Sequence, residues 1–209
     1  MKHIITQCKA ISLMVIISLY LLNAQVAQGQ VSVSANGAGI PSAVPLTGTG
    51  GTCDVNTITT SAAAINVTAL STAKVKAVDD SAFPIYSIDT LTLDITHAYN
   101  EDLDISLIAP DGSTSWDLSS DNGASGDNYT NVIFLDGGGI LPTTSTSISG
   151  TFQAEAGPFT TGFTDQALIG DWTLSICDDF NTDNGTLNTY GISFIPINDT
   201  CGSFLPAGL

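Results

Sequence analysis

Hydrophobic residues recur at every second position along much of this chain, and that period restricts the fold more than any other property. Leu91, Leu93 and Ile95 alternate with Thr90, Thr92, Asp94 and Thr96. Leu103, Ile105 and Leu107 alternate with Asp102, Asp104 and Ser106, and Trp172, Leu174 and Ile176 alternate with Asp171, Thr173 and Ser175. Tyr190, Ile192 and Phe194 repeat the pattern. Successive side chains of a strand point to opposite faces, so such runs read as half-buried strands. Further strands are expected near 55–60, 63–70, 113–118, 130–135 and 148–154. Turn-forming stretches separate them: Ala109-Pro110-Asp111-Gly112, Asp121-Asn122-Gly123, Asp136-Gly137-Gly138-Gly139 and Asp183-Asn184-Gly185. No segment carries a clear helical period. The pattern predicts an all-β fold, a β-sandwich or jelly roll.

The N-terminal region departs from this pattern. Lys2 and Lys9 precede and border an apolar run, Ala10 to Leu22, which is short for a bilayer span. Ala27-Gln28-Gly29 follows as a small-x-small cleavage site, so residues 1–29 read as a secretory signal peptide and the protein as secreted. Residues 30–52, rich in Gly, Ser, Thr and Pro, read as a flexible leader rather than a core element. The rest is one domain's worth of chain, 53–201, followed by a short C-terminal tail, 202–209.

Charge excludes several partners. The chain carries 20 acidic residues against four lysines and no arginine, for a formal charge of −16, which falls to −18 once Lys2 and Lys9 leave with the signal. Eighteen of the acids are Asp, the exceptions being Glu101 and Glu155. No basic footprint for nucleic acid or an anionic membrane surface exists, and no arginine can clamp a phosphate. No later run is long enough for a membrane span. A mean hydropathy of +0.28 nevertheless supports a buried core.

Three cysteines remain after the signal: Cys53, Cys177 and Cys201. If 171–177 and 187–195 form a hairpin about Asp183-Asn184-Gly185, Cys177 lies far from Cys201. Cys53 and Cys201 flank the domain, and domain termini often lie close together, so the expected disulfide is Cys53–Cys201 with Cys177 free.

Four motifs point to a family. Residues 95–113, from Ile95-Thr96-His97 through Asp102-Leu103-Asp104-Ile105-Ser106-Leu107 to Ala109-Pro110-Asp111-Gly112-Ser113, resemble the opening signature of the P domain (P/Homo B domain) of subtilisin-like proprotein convertases. Ser125-Gly126-Asp127-Asn128-Tyr129-Thr130-Asn131-Val132-Ile133-Phe134 is similar to its middle motif, and Gly170-Asp171-Trp172-Thr173-Leu174 to a later strand. Gly185-Thr186-Leu187 through Phe194 resembles the closing strand, with Tyr190 where the family usually has Trp. Glu101 stands where the family pattern usually has Gly, a departure at the turn before the strand. The resemblance covers roughly residues 55–196 and implies a jelly-roll β-sandwich of about eight antiparallel strands. It also implies association with a subtilisin-like serine endopeptidase as a stabilising or accessory module.

No catalytic residues are assigned. His97 is the one histidine after the signal, and no nucleophile motif accompanies it, so it reads as a structural residue that fixes a strand end. Calcium takes oxygen ligands from loop Asp and Asn residues. The P domains of bacterial convertases are known for bound calcium. Asp102, Asp127 and Asp136 are the expected side chains for one Ca2+. Asp178, Asp179, Asp183 and Asn184 crowd another turn. An alternative reading is a module that binds an extracellular glycan on Trp116, Tyr129, Trp172 and Tyr190. There Trp172 shares the parity of buried residues and Trp116 is the candidate for ligand contact. Asn66, Asn128, Asn184 and Asn198 begin N-glycosylation sequons.

Overall fold

Alternation becomes strand wherever an opposing strand can take up the other face. A computed structural model describes residues 33–37, 39–44, 52–60, 74–75, 85–180 and 183–196. The signal segment, the expected strand at 63–70, Cys201 and the tail lie outside the described residues. The early strands are β1 (Val33–Asn36), β2 (Ser42–Val44), β3 (Thr52–Thr60) and β4 (Lys74–Val75). The middle of the chain forms β5 (Ile85–Thr96), a 3-10 turn (Asn100–Asp102), β6 (Leu103–Ile108), β7 (Ser115–Ser120), β8 (Tyr129–Gly139) and β9 (Ile148–Phe152). A single helical turn, α1 (Phe159–Gly162), leads to β10 (Gln166–Ala167), β11 (Gly170–Asp178) and β12 (Gly185–Pro196).

The strands form two sheets. The larger follows the order β1-β12-β5-β4-β10, with β2 also on β12 and with β8 and β9 continuing from β5. The smaller has the order β3-β11-β6-β7. Most pairs are antiparallel, as expected, but β4–β5 and β8–β9 are parallel. Twelve strands among the described residues exceed the eight anticipated because short edge strands add to the main ones.

One core cluster joins the inner faces of both sheets. In β6 the odd positions Leu103, Ile105 and Leu107 are buried, and in β11 the even positions Trp172, Leu174 and Ile176. In β5 burial switches from Tyr86 and Ile88 to Leu91, Leu93 and Ile95. The register against β12 shifts between Ser193 and Phe194, and the extra residue there turns the strand over. Rings run through the core in contact: Trp116 to Phe163 at 6.1 Å, Phe163 edge-on to Trp172 at 5.1 Å, and Trp172 to Phe194 at 5.4 Å. The last contact crosses from the small sheet to the large one.

Three expectations are corrected. Residues 30–52 are not merely a leader, since β1 and β2 both pair with β12 and Val44 is buried. Strands of three or four residues carry too little periodicity to stand out in a stretch rich in Gly and Ser, and they form because β12 offers a free edge. Second, β11 and β12 do not form a hairpin, because they belong to different sheets. Third, Cys177 is not free but disulfide-bonded. Antiparallel pairing of β11 with β3 puts Cys53 directly opposite Cys177.

Candidate functional site

At one end of the sandwich, residue types that fold poorly elsewhere are held in place by one another. His97 follows β5 with its side chain buried. Its ring Nδ1 lies 2.8 Å from the Tyr99 carbonyl oxygen and 3.3 Å from the Tyr99 backbone nitrogen, so Tyr99 offers this nitrogen a partner in either tautomer. Its Nε2 lies 3.4 Å from Oδ2 of Asp178, also fully buried, at the end of β11. The Asp178 Oδ1 accepts the Phe180 backbone N–H at 3.2 Å. His97 is thus an internal strut, in agreement with the structural role expected of it.

The loop between β7 and β8 closes over this strut. The His97 backbone N–H donates to Asn128 Oδ1 at 3.0 Å, and Asn128 holds φ at 66°, a left-handed value that Asn tolerates. Asn100 donates its backbone N–H to the Gly126 carbonyl at 2.8 Å and its side-chain amide to the carbonyls of Asn128 and Thr146. A Cβ on Gly126 would sit 2.1 Å from the Thr146 carbonyl oxygen, so only glycine allows this approach. Glu101 needs no such freedom: it sits within the 3-10 turn, and its N–H donates to the Ala124 carbonyl. That is why Glu is accepted where the family pattern has Gly.

Asp102 ends the turn. Its carbonyl accepts the Asp179 N–H at 2.9 Å, which ties the turn to the end of β11. Its side chain is 7 % exposed, and Oδ2 has no hydrogen-bond partner. Burial, reinforced by the charges of Asp178, Asp183 and Asp179 and opposed by His97, pushes its pKa up to about 6. Asp102 lines a cleft of about 370 Å³ with Tyr99, Glu101, Phe180 and Asp183. The Phe180 ring is 57 % exposed, so one wall is apolar and the others acidic.

The residues expected to bind calcium are not gathered here. Asp102 is at the cleft and Asp127 is exposed in the loop over it. Asp136 lies beyond Phe134 in β8, in the irregular stretch before Gly139, where Phe134 and Gly139 both stand opposite Phe152 of β9. Its carboxylate is spent on the N–H groups of Phe159 and Thr160, where it caps α1. Among the described residues no three His, Cys, Asp or Glu side chains could hold a metal ion together. Asp102, Asp127 and Asp136 do not form such a group.

Sequence reasoning noticed the acids at 178–183 but not that they face Asp102. The β6–β11 ladder, which pairs Asp178 with Leu103, brings them together. No local signal marks Tyr99 or Phe180 as cleft walls. Of the proposed stacking aromatics, Tyr129, Trp172 and Tyr190 are core. Trp116 is half-buried, packs on Phe163 and donates its indole N–H to the Gly157 carbonyl at 3.0 Å. Among the described residues no helix is long and apolar enough to cross a membrane.

A family model described as the proprotein convertase P-domain matches residues 89–194, which include the His97 strut, the 3-10 turn and the whole cleft. No curated protein matches the chain.

Proposed function

The chain belongs to the proprotein convertase P-domain family, and from that premise we propose that it serves as a secreted, non-catalytic module that packs on a subtilisin-like serine endopeptidase and stabilises it. The observation that carries this reading is the extent of the family match, over half the chain and all of its central strands. The internal use of His97 supports it: the imidazole is sealed from solvent and engaged at both nitrogens, so it is not placed to shuttle a proton for a substrate. The module's role is surface docking by a rigid sandwich. Nothing favours the glycan reading, since three of the four aromatics are buried and Trp116 is locked in place.

The test is capture and stabilisation. The chain, immobilised and exposed to its source's secreted fraction, is expected to retain a subtilisin-like protease. Adding the soluble chain to that protease is expected to lengthen its half-life on heating. A retained fraction without such a protease, together with an unchanged half-life for any subtilisin-like enzyme from the source, would overturn the reading.

A further inference from the structure

The described residues that line the cleft beside Asp102 include carboxylates and no cation. Asp102 contributes a carboxylate oxygen with no hydrogen-bond partner, in a side chain more than nine-tenths buried. Such an atom costs free energy unless something donates to it. The chain itself is poor in candidates: it has no Arg, and Lys74, the one lysine in a described strand, pairs with Ile85. That is the opposite end of β5 from His97, about 36 Å along the strand.

The shape of the cleft selects among cations. Its volume, about 370 Å³, is far larger than a bare ion needs, and no three-ligand grouping is present among the described residues. One wall is the exposed face of Phe180 and another is Tyr99, while Glu101, Asp102 and Asp183 supply carboxylates. A planar guanidinium stacks on an aromatic face and donates several hydrogen bonds at once to neighbouring carboxylates. We propose that this cleft is a binding site for an arginine side chain presented by a partner protein, with Asp102 as the acceptor at its floor and Phe180 as its stacking wall. The site does not depend on the partner being a protease, so it stands or falls separately from the docking function.

The experiment is a titration of the 15N-labelled full chain with N-acetyl-arginine methylamide, read from backbone amide shifts. Saturable shifts confined to Tyr99, Glu101, Asp102, Phe180, Asp183 and their neighbours are expected, with a dissociation constant in the millimolar range, about 4 kcal/mol. The norleucine amide, which keeps the aliphatic stem but has no guanidinium, is expected to produce none. Phe180→Ala, at an exposed position that the fold does not need, is expected to weaken binding about two- to fivefold, the worth of one exposed cation–π contact. Asp102→Asn is expected to abolish it. Linear shifts spread over surface carboxylates, or equal binding of norleucine, would overturn the proposal. So would calcium chloride, titrated alone, saturating the same amides below 1 mM and displacing the arginine amide, since the cleft would then be a metal site.

Discussion

Asp102 is the residue at which folding and site chemistry conflict. Its folded pKa of about 6 lies above the ordinary Asp value of 3.8, so between roughly pH 4 and 6 the folded chain holds a proton that the unfolded chain has released. This contribution to stability is therefore fully present below about pH 4 and is lost as pH rises through 6. Asp102→Asn removes the titration, and its Tm advantage over the parent is expected to be largest at pH 8 and to vanish near pH 4. Thermal melts of the two proteins across that range check this, and an advantage independent of pH would contradict it. Gly185 makes a second prediction at this scale. A Cβ there would lie 2.5 Å from the Thr96 carbonyl oxygen and 2.6 Å from His97 Cδ2. Neither the ladder nor the buried strut can yield cheaply, so Gly185→Ala is expected to cost about 1–3 kcal/mol in urea unfolding.

At the scale of elements, β11 links the two sheets, the core and the site. Trp172 reaches Phe163 on one side and Phe194 on the other, with its indole N–H donated to the Leu168 carbonyl at 3.2 Å. Trp172→Ala is expected to cost about 3–5 kcal/mol in the same unfolding assay, because a fully buried ring leaves a cavity that two sheets cannot both collapse into. The register of β3 on β11 gives a covalent prediction. A non-reducing digest is expected to link the peptide containing Cys177 to that containing Cys53, and Cys177→Ser is expected to lose about 2–4 kcal/mol. Recovery of Cys177 linked to Cys201 would contradict the inference from register. The strand parities were legible in the sequence because a half-buried strand writes its environment into every second residue. The membership of β11 and β12 in different sheets was not legible, since the same alternation suits either partner.

Over the whole molecule, charge sets the tone. Twenty acids against four lysines must repel one another in the compact state. Raising the salt concentration from 10 to 500 mM is expected to raise Tm, since nine of the sixteen acidic residues whose burial is described are exposed and the screening length falls within that range. A flat or falling Tm would mean that the acids are already matched by bound cations. The four family motifs were visible in the chain because each combines strand parity with turn residues, Gly, Pro and Asp, whose backbone demands are local.

By itself, the sequence determined the fold class, the family and the longer strands, β3, β6 to β9, β11, β12 and the second half of β5. Those properties rest on local periodicity and on turn chemistry, which neighbouring residues specify. Only the tertiary structure decided the pairing opposite Cys177, the capture of β1 and β2 by β12, the separation of Asp136 from Asp102, and the meeting of Asp102 with Phe180 and Asp183. Each of these depends on which strand edge meets which, a choice made by the global packing of two sheets and not encoded within any one segment.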